Sequence, residues 1–261
     1  MNIKPAVFLH IQKTAGTSIV DWVIHSCGLD KVVAHGDYCK GRPDLGIEMK
    51  GDARAISPGD FHSIPFVSGH FGYDWARHLM DKRYSFTFLR NPIERVLSFY
   101  SFCKSRDPKE FDIYALTQQV SLDEFLQIGM KVPLVKECIW NHQTWQLAHG
   151  WGNSEQPSVS CFEPDEILDL AIRHLEDFSY IGLTETFEED RDNILAALGI
   201  VPPKEKIVSN VQPGRPTSKD LPQSTLKLLE ELTHLDRTLY EEAWSRRDSF
   251  VKRCIKRWLR V

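Results

Sequence analysis

The chain of 261 residues has no C-x-x-C pair among its six cysteines, no apolar window of 18 residues, no internal repeat and no excess of positive charge. Each absence excludes something. Cys27, Cys39, Cys103, Cys138, Cys161 and Cys254 are scattered, which argues against a zinc site. The N-terminal apolar run is too short for export, so free thiols in a reducing compartment and a cytoplasmic location are expected. Without an 18-residue apolar window nothing is expected to span a membrane. A net charge of -4 and a pI near 6.2 argue against coating nucleic acid by bulk charge. Any anion site must be local, and no nucleic-acid partner is expected. What remains, 42% hydrophobic and 26% charged residues, is ordinary globular composition.

The hydrophobic patterning alternates short buried strands with helices. Ala6 to Ile11, Phe66 to Ser68, Tyr84 to Leu89 and Tyr180 to Leu183 read as strands. Helices are expected over 18–26 (stopped by Gly28), from near Asp74, from Pro92 to about Cys103, and over 121–128, 134–148, 164–176 and 186–198, with a helical tail from 221. Pro92 suits a first helical position, where its missing N–H would have no partner anyway. Segment 35–60 reads as a long loop, and 105–120 gives no clear pattern. This alternation predicts α/β structure with a mainly parallel central sheet covered by helices on both faces. No linker divides 1–261, so one domain is expected.

Two strand-to-helix junctions carry chemistry. In "VFLHIQKTAGTSIVDWV" a small-residue loop joins the first strand to the first helix. Backbone N–H groups and the helix dipole favour an anion there. Gly16 permits close approach, Thr14, Thr17 and Ser18 add hydroxyls, and Lys13 adds a mobile charge. The bland alternative is a helix cap with a solvated lysine. The pattern is not G-x-x-x-x-G-K-[ST], because Lys13 precedes the glycine, and no acidic partner for Mg²⁺ follows a second strand. In "FTFLRNPIERVLSFY" Arg90 leaves a strand and Ser98 lies two turns into the next helix. An arginine at that edge can grip a phosphate with its planar fork; alternatively it forms a salt bridge. Two phosphate-suited junctions on one sheet edge imply a ligand with two separated phosphates.

Together "FLHIQKTAGTS" and "RNPIERVLSFY" resemble the paired 5′- and 3′-phosphate motifs of sulfotransferases that use 3′-phosphoadenosine 5′-phosphosulfate (PAPS). The match is nearest to the Golgi carbohydrate type that includes heparan sulfate 2-O-sulfotransferase and its bacterial relatives. "VSGHFGYD" and "YIGLTETFEED" resemble family segments in the expected order. The chain departs from the family pattern at Gln12, where proline is usual, and at Ser68-Gly69-His70, where His-Gly-His is often found.

The resemblance implies a P-loop-like three-layer fold and a metal-free enzyme. Lys13, Thr14, Gly16, Thr17 and Ser18 would hold the 5′-phosphosulfate of PAPS, and Arg90 and Ser98 the 3′-phosphate. Arg215, in the late loop "NVQPGRP", would add a further cation to that grip. Lys13 would also stabilise the leaving phosphate. His70 would take the proton from a hydroxyl of a carbohydrate or glycolipid-type acceptor; its other reading is a hydrogen-bonded turn histidine. His10 reads as structural, and His35, His62 and His142 stay open as acceptor-site residues. Asp74 is expected to cap its helix and Trp145 to pack in the core. The tail "SRRDSFVKRCIKRWLRV" is a basic amphipathic helix, expected to dock on the sheet, with peripheral membrane contact as the alternative. Rival readings are a kinase-like phosphotransferase, needing ATP and Mg²⁺, and a non-catalytic nucleotide-binding module.

Overall fold

The computed structural model describes residues 3–48, 56–150, 158–202 and 216–258, with side chains through 247 in the last stretch. Its strands are β1 (Ala6–Leu9), β2 (Val32–Val33), β3 (Phe66–Gly69), β4 (Tyr84–Leu89) and β5 (Tyr180–Leu183). They form one sheet in the order β2-β3-β1-β4-β5, and every pairing is parallel. The helices in chain order are α1 (Gly16–Cys27), α2 (Asp37–Lys40), α3 (Tyr73–Met80), α4 (Pro92–Lys104), α5 (Asp112–Gln119) and α6 (Leu122–Gly129). They continue with α7 (Pro133–Ile139), α8 (His142–Ala148), α9 (Pro164–His174), α10 (Phe187–Ala197), α11 (Gln223–Leu232) and α12 (His234–Trp258). This is the expected α/β, P-loop-like architecture, a parallel sheet between layers of helices.

The strands are buried on both faces, and side chains alternate between them with period two. Ala6 and Phe8 pack with Ile19, Val20 and Val23 of α1 and Ile194 and Leu195 of α10. Val7 and Leu9 face the other way, toward Ala76 and Leu79 of α3, Trp145 of α8, Ile167 of α9 and Leu239 of α12. A third apolar cluster joins α4, α6, α7 and α11 through Leu97, Phe125, Val135 and Leu229. The connection after β1 therefore runs over one face to β2, and the one after β3 runs over the other face to β4. Crevices at such a reversal, beyond the carboxyl ends of the strands, are where open α/β sheets bind ligands.

Several expectations need correction. Val32–Val33 is an edge strand that the patterning missed, since two residues carry no period. The segment without a clear pattern contains α5. The helix expected over 134–148 is two helices, because Asn141 takes a left-handed φ of 41°. Its side-chain oxygen accepts from the backbone N–H of Leu235 (2.8 Å) and Asp236 (3.2 Å), so that break also caps α12. Asp74 does not cap α3: Gly72 precedes the helix, and the Asp74 carboxylate bonds His149 Nδ1 at 2.9 Å.

The first part of α12 docks on the sheet layers, while the apolar stripe of the tail, from Phe250 onward, lies outside the described side chains. Leu239 and Ala243 are buried, Arg246 pairs with Glu176 and Glu242, and Arg247 pairs with Glu189 (2.8 Å) and the buried Asp190 (3.2 Å). Two of the seven basic residues in that amphipathic pattern are thus committed to ion pairs. No helix among the described residues is long and apolar enough to cross a membrane.

Candidate active site

The loop after β1 is shaped by two left-handed residues, Lys13 (φ 70°) and Ala15 (φ 66°). Each costs roughly 1–2 kcal/mol for a residue with a Cβ, so other contacts must hold the loop. Thr14 supplies one, donating its hydroxyl to the Ile11 carbonyl at 2.8 Å while fully buried. That hydroxyl closes the loop, and what Thr14 can still offer an anion is its backbone. Left-handed residues spaced along a loop at a helix start turn backbone N–H groups toward a common concavity. Ser18 is buried in the first turn of α1, and Thr17 is partly exposed.

Gly16 answers a different need from the one its sequence position implied. A Cβ there would lie 2.2 Å from the His10 ring, so the missing side chain makes room for an imidazole. Gly16→Ala is expected to destabilise the protein by about 1–3 kcal/mol through overpacking, read as a lowered Tm. An unchanged Tm would show that His10 moves freely.

The second junction lies against the first. Arg90 leaves β4 and donates from Nη1 to the Lys13 carbonyl at 3.0 Å. Its own backbone is clamped by Gln143 of α8: the Arg90 N–H donates to Oε1, and Nε2 donates to the Arg90 carbonyl, both at 2.9 Å. Asn91 caps α4 by accepting from the Glu94 N–H at 3.2 Å, with Pro92 in the first turn as expected. On α4, Arg95, Ser98 and Phe102 share one face, three and four residues apart. The buried Arg95 donates to the Gln12 carbonyl at 3.2 Å and from both terminal nitrogens to the Cys138 carbonyl at 2.9 Å. Lys13 Nζ lies 4.0 Å from the centre of the Phe102 ring, and the Arg106 guanidinium lies 4.3 Å from it. The buried Ser98 is therefore on the α4 face that meets the Lys13 loop.

Cations are thus concentrated here. Burial first, then Arg90, brings the Lys13 ammonium down to about 8, with Arg106 and Arg95 acting in the same direction. A positive field that lowers its own lysine is stabilised by any anion that enters.

His70 follows β3, beside the same loop. Its Nδ1 donates to the His10 carbonyl at 2.8 Å, which leaves the lone pair on Nε2. Burial lowers its pKa to about 4, against the raising effect of that hydrogen bond. Gln146 of α8 braces the same turn, with Nε2 donating to the carbonyls of His10 (3.3 Å), His70 (3.2 Å) and Phe71 (2.9 Å). The other histidines separate. His10 (4% exposed) and His35 lie beside His70, with ring centres 4.6 and 6.4 Å from it. His142 is fully buried and bonded to the Glu137 carbonyl at 2.8 Å. His62 precedes β3, at the opposite edge, where Arg83 donates to its carbonyl. A cleft lined by Tyr73, Arg77, Arg83 and Asp177 also opens at that edge and contains none of the expected site residues.

Of the expected site residues, the structure brings Lys13, Thr14, Gly16, Thr17, Ser18, Arg90, Ser98 and His70 to one sheet edge. Arg215 lies outside the described residues. Sequence reasoning missed Gln143, Gln146 and Arg95. A signal was present: "HQTWQLA" places two glutamines three residues apart on a helix with Trp145, Leu147 and Ala148, and buried amides of this kind are mostly hydrogen-bonded. Trp145 packs in the core, as expected.

A family model described as the sulfotransferase family matches residues 4–241. No curated protein matches the chain.

Proposed function

The chain belongs to the sulfotransferase family, and from that premise we propose that it moves a sulfuryl group from PAPS to a hydroxyl of a carbohydrate or glycolipid-type acceptor. The subtype resembled is the heparan sulfate 2-O-sulfotransferase type with its bacterial relatives. The observation that carries the reading is the bond from Arg90 to the Lys13 carbonyl. It joins the two phosphate-suited junctions into one cationic site with His70 at its side.

The residues fit a bisphosphorylated donor. The Lys13–Ala15 concavity and the start of α1 suit the 5′-phosphosulfate, with Thr17 and Ser18 adding hydroxyls. Arg90 and Ser98 suit the 3′-phosphate, and Arg215 is a further candidate for it. Lys13 rests over Phe102 and must leave that ring to reach the bridging oxygen, where negative charge grows as the sulfuryl group departs. An interaction stronger in the transition state than in the ground state is what accelerates transfer. His70 accepts the acceptor's proton on Nε2, and the carbonyl of His10 holds its ring in that tautomer. Sulfuryl transfer, like phosphoryl transfer, rests on in-line positioning and electrostatics. The smaller charge of the moving group fits a reaction whose cations are side chains, with no metal required.

Described Cys27, Cys39, Cys103, Cys138 and Cys161 are free thiols, in keeping with a cytoplasmic location. Contact of the tail with a membrane is the weaker reading, since Arg246 and Arg247 are already paired. Calorimetry with adenosine 3′,5′-bisphosphate in metal-free buffer tests the donor. Binding is expected, and Arg90→Ala is expected to weaken it by about 10- to 100-fold, the worth of charge-assisted hydrogen bonds. Absent binding, or binding indifferent to Arg90→Ala, would sink the donor assignment. Binding only of ATP with Mg²⁺ would favour the kinase-like rival.

A further inference from the structure

His10, His35 and His70 come from three separate segments, just beyond the ends of β1, β2 and β3, neighbouring strands in the sheet. Each offers a ring nitrogen, and the three nitrogens lie within 4.8 Å of one another. Nothing about their sequence spacing relates them. The fold alone makes them a cluster, and we propose that the cluster is a site for one divalent transition-metal ion of the zinc class. On the sulfotransferase reading, an ion there takes the His70 lone pair and so switches transfer off.

The geometry is near what such an ion needs. Three imidazoles around a tetrahedral ion with metal–nitrogen bonds of about 2.0–2.1 Å have ring centres about 5 Å apart. Here the centres lie 4.6, 6.0 and 6.4 Å apart, so small side-chain rotations close the site. Zinc sites with three protein ligands leave a fourth position to water, as catalytic ones do.

The surroundings fit as well. His70 already has the outer hydrogen bond that ligating histidines require, from Nδ1 to the His10 carbonyl, which aims Nε2 outward. Gln146 holds that same carbonyl. His10 is 4% exposed, and its Nδ1 has no hydrogen-bond partner, a buried vacancy that needs a reason. Its Cδ2–Nε2 edge is packed on Gly16, which turns Nδ1 away from α1. His35 holds a left-handed φ of 52°, a conformation that costs energy for a residue with a Cβ and clusters at functional positions. His35 and His70 are partly exposed, so an ion has a path in. Against the site stand the positive charges of Lys13 and Arg95. Imidazole chemistry selects zinc, cobalt, nickel or copper over magnesium or calcium.

The test titrates the full metal-free chain with Co²⁺ alone, without donor or acceptor, and follows the visible bands of tetrahedral cobalt; Zn²⁺ then displaces it. One equivalent is expected to bind. His35→Ala should lower the affinity at least about tenfold and abolish the bands, since it removes one of three ligands, whereas His62→Ala, at the other edge, should leave both intact. Absent tetrahedral bands, or Co²⁺ binding unaffected by His35→Ala, would overturn the site. In a transfer assay, one equivalent of Zn²⁺ should inhibit the unaltered chain, and a chelator should restore it; full activity with Zn²⁺ bound would overturn the switch. Metal binding is read without any transfer, so it can fail while donor binding stands, and the reverse.

Discussion

Lys13→Ala is expected to reduce turnover by about 10²–10³-fold, the cost of removing one preorganised charge from a developing oxyanion. Affinity for adenosine 3′,5′-bisphosphate should fall less, because Arg90, Ser98 and the backbone of the loop remain. That split separates a transition-state role from simple anion binding: equal losses in turnover and affinity would mean that Lys13 only binds. The pH dependence supplies a second check. Burial and Arg90 hold the Lys13 ammonium at about 8. It is charged below that pH and neutral above it, so affinity of the free protein for the bisphosphate should weaken as pH rises through about 8. In Lys13→Ala that decline should vanish. Its persistence would place the titrating group elsewhere.

His70→Ala is expected to lower turnover by about 10²–10⁴-fold, the usual worth of a positioned general base, with bisphosphate affinity nearly unchanged. Full activity in the variant would move the base to another group. Burial lowers the His70 pKa to about 4, so the free enzyme should keep its base down to that pH. The acid limb of kcat/KM should therefore fall near 4, below the ordinary histidine value of about 6.5. Between about 4 and the unfolded value the unfolded chain binds the proton and the folded one does not, so stability rises with pH across that window and is lost toward acid. His10 and His142, also lowered by burial, act in the same direction. Urea titrations at pH 5 and pH 7 would test this, and greater stability at pH 5 would contradict it.

Much of the frame was legible in the chain. Tyr84–Leu89 and Tyr180–Leu183 are strands over the residues expected, because short apolar runs between turn residues fit a strand buried on both faces. Asn91-Pro92 announced α4 through local chemistry, a cap and a ring that tolerates the first turn. The helix break at Asn141 was invisible: the left-handed turn is stabilised by N–H groups of Leu235 and Asp236, almost a hundred positions later. Gly16 was legible as a close approach, but the group approaching it is His10.

By itself, then, the sequence determined the alternation of strands and helices, the two strand-to-helix junctions and the residue types in them. These depend on local periodicity, capping and charge, which neighbouring residues set. Only the tertiary structure decided that Arg90 meets the Lys13 carbonyl, that Gln143 and Gln146 brace both sides of the site, and that His10, His35 and His70 share one space. Those pairings depend on strand order and on which face each crossover takes. Both are chosen by the burial of the whole sheet, to which residues far apart in the chain contribute together.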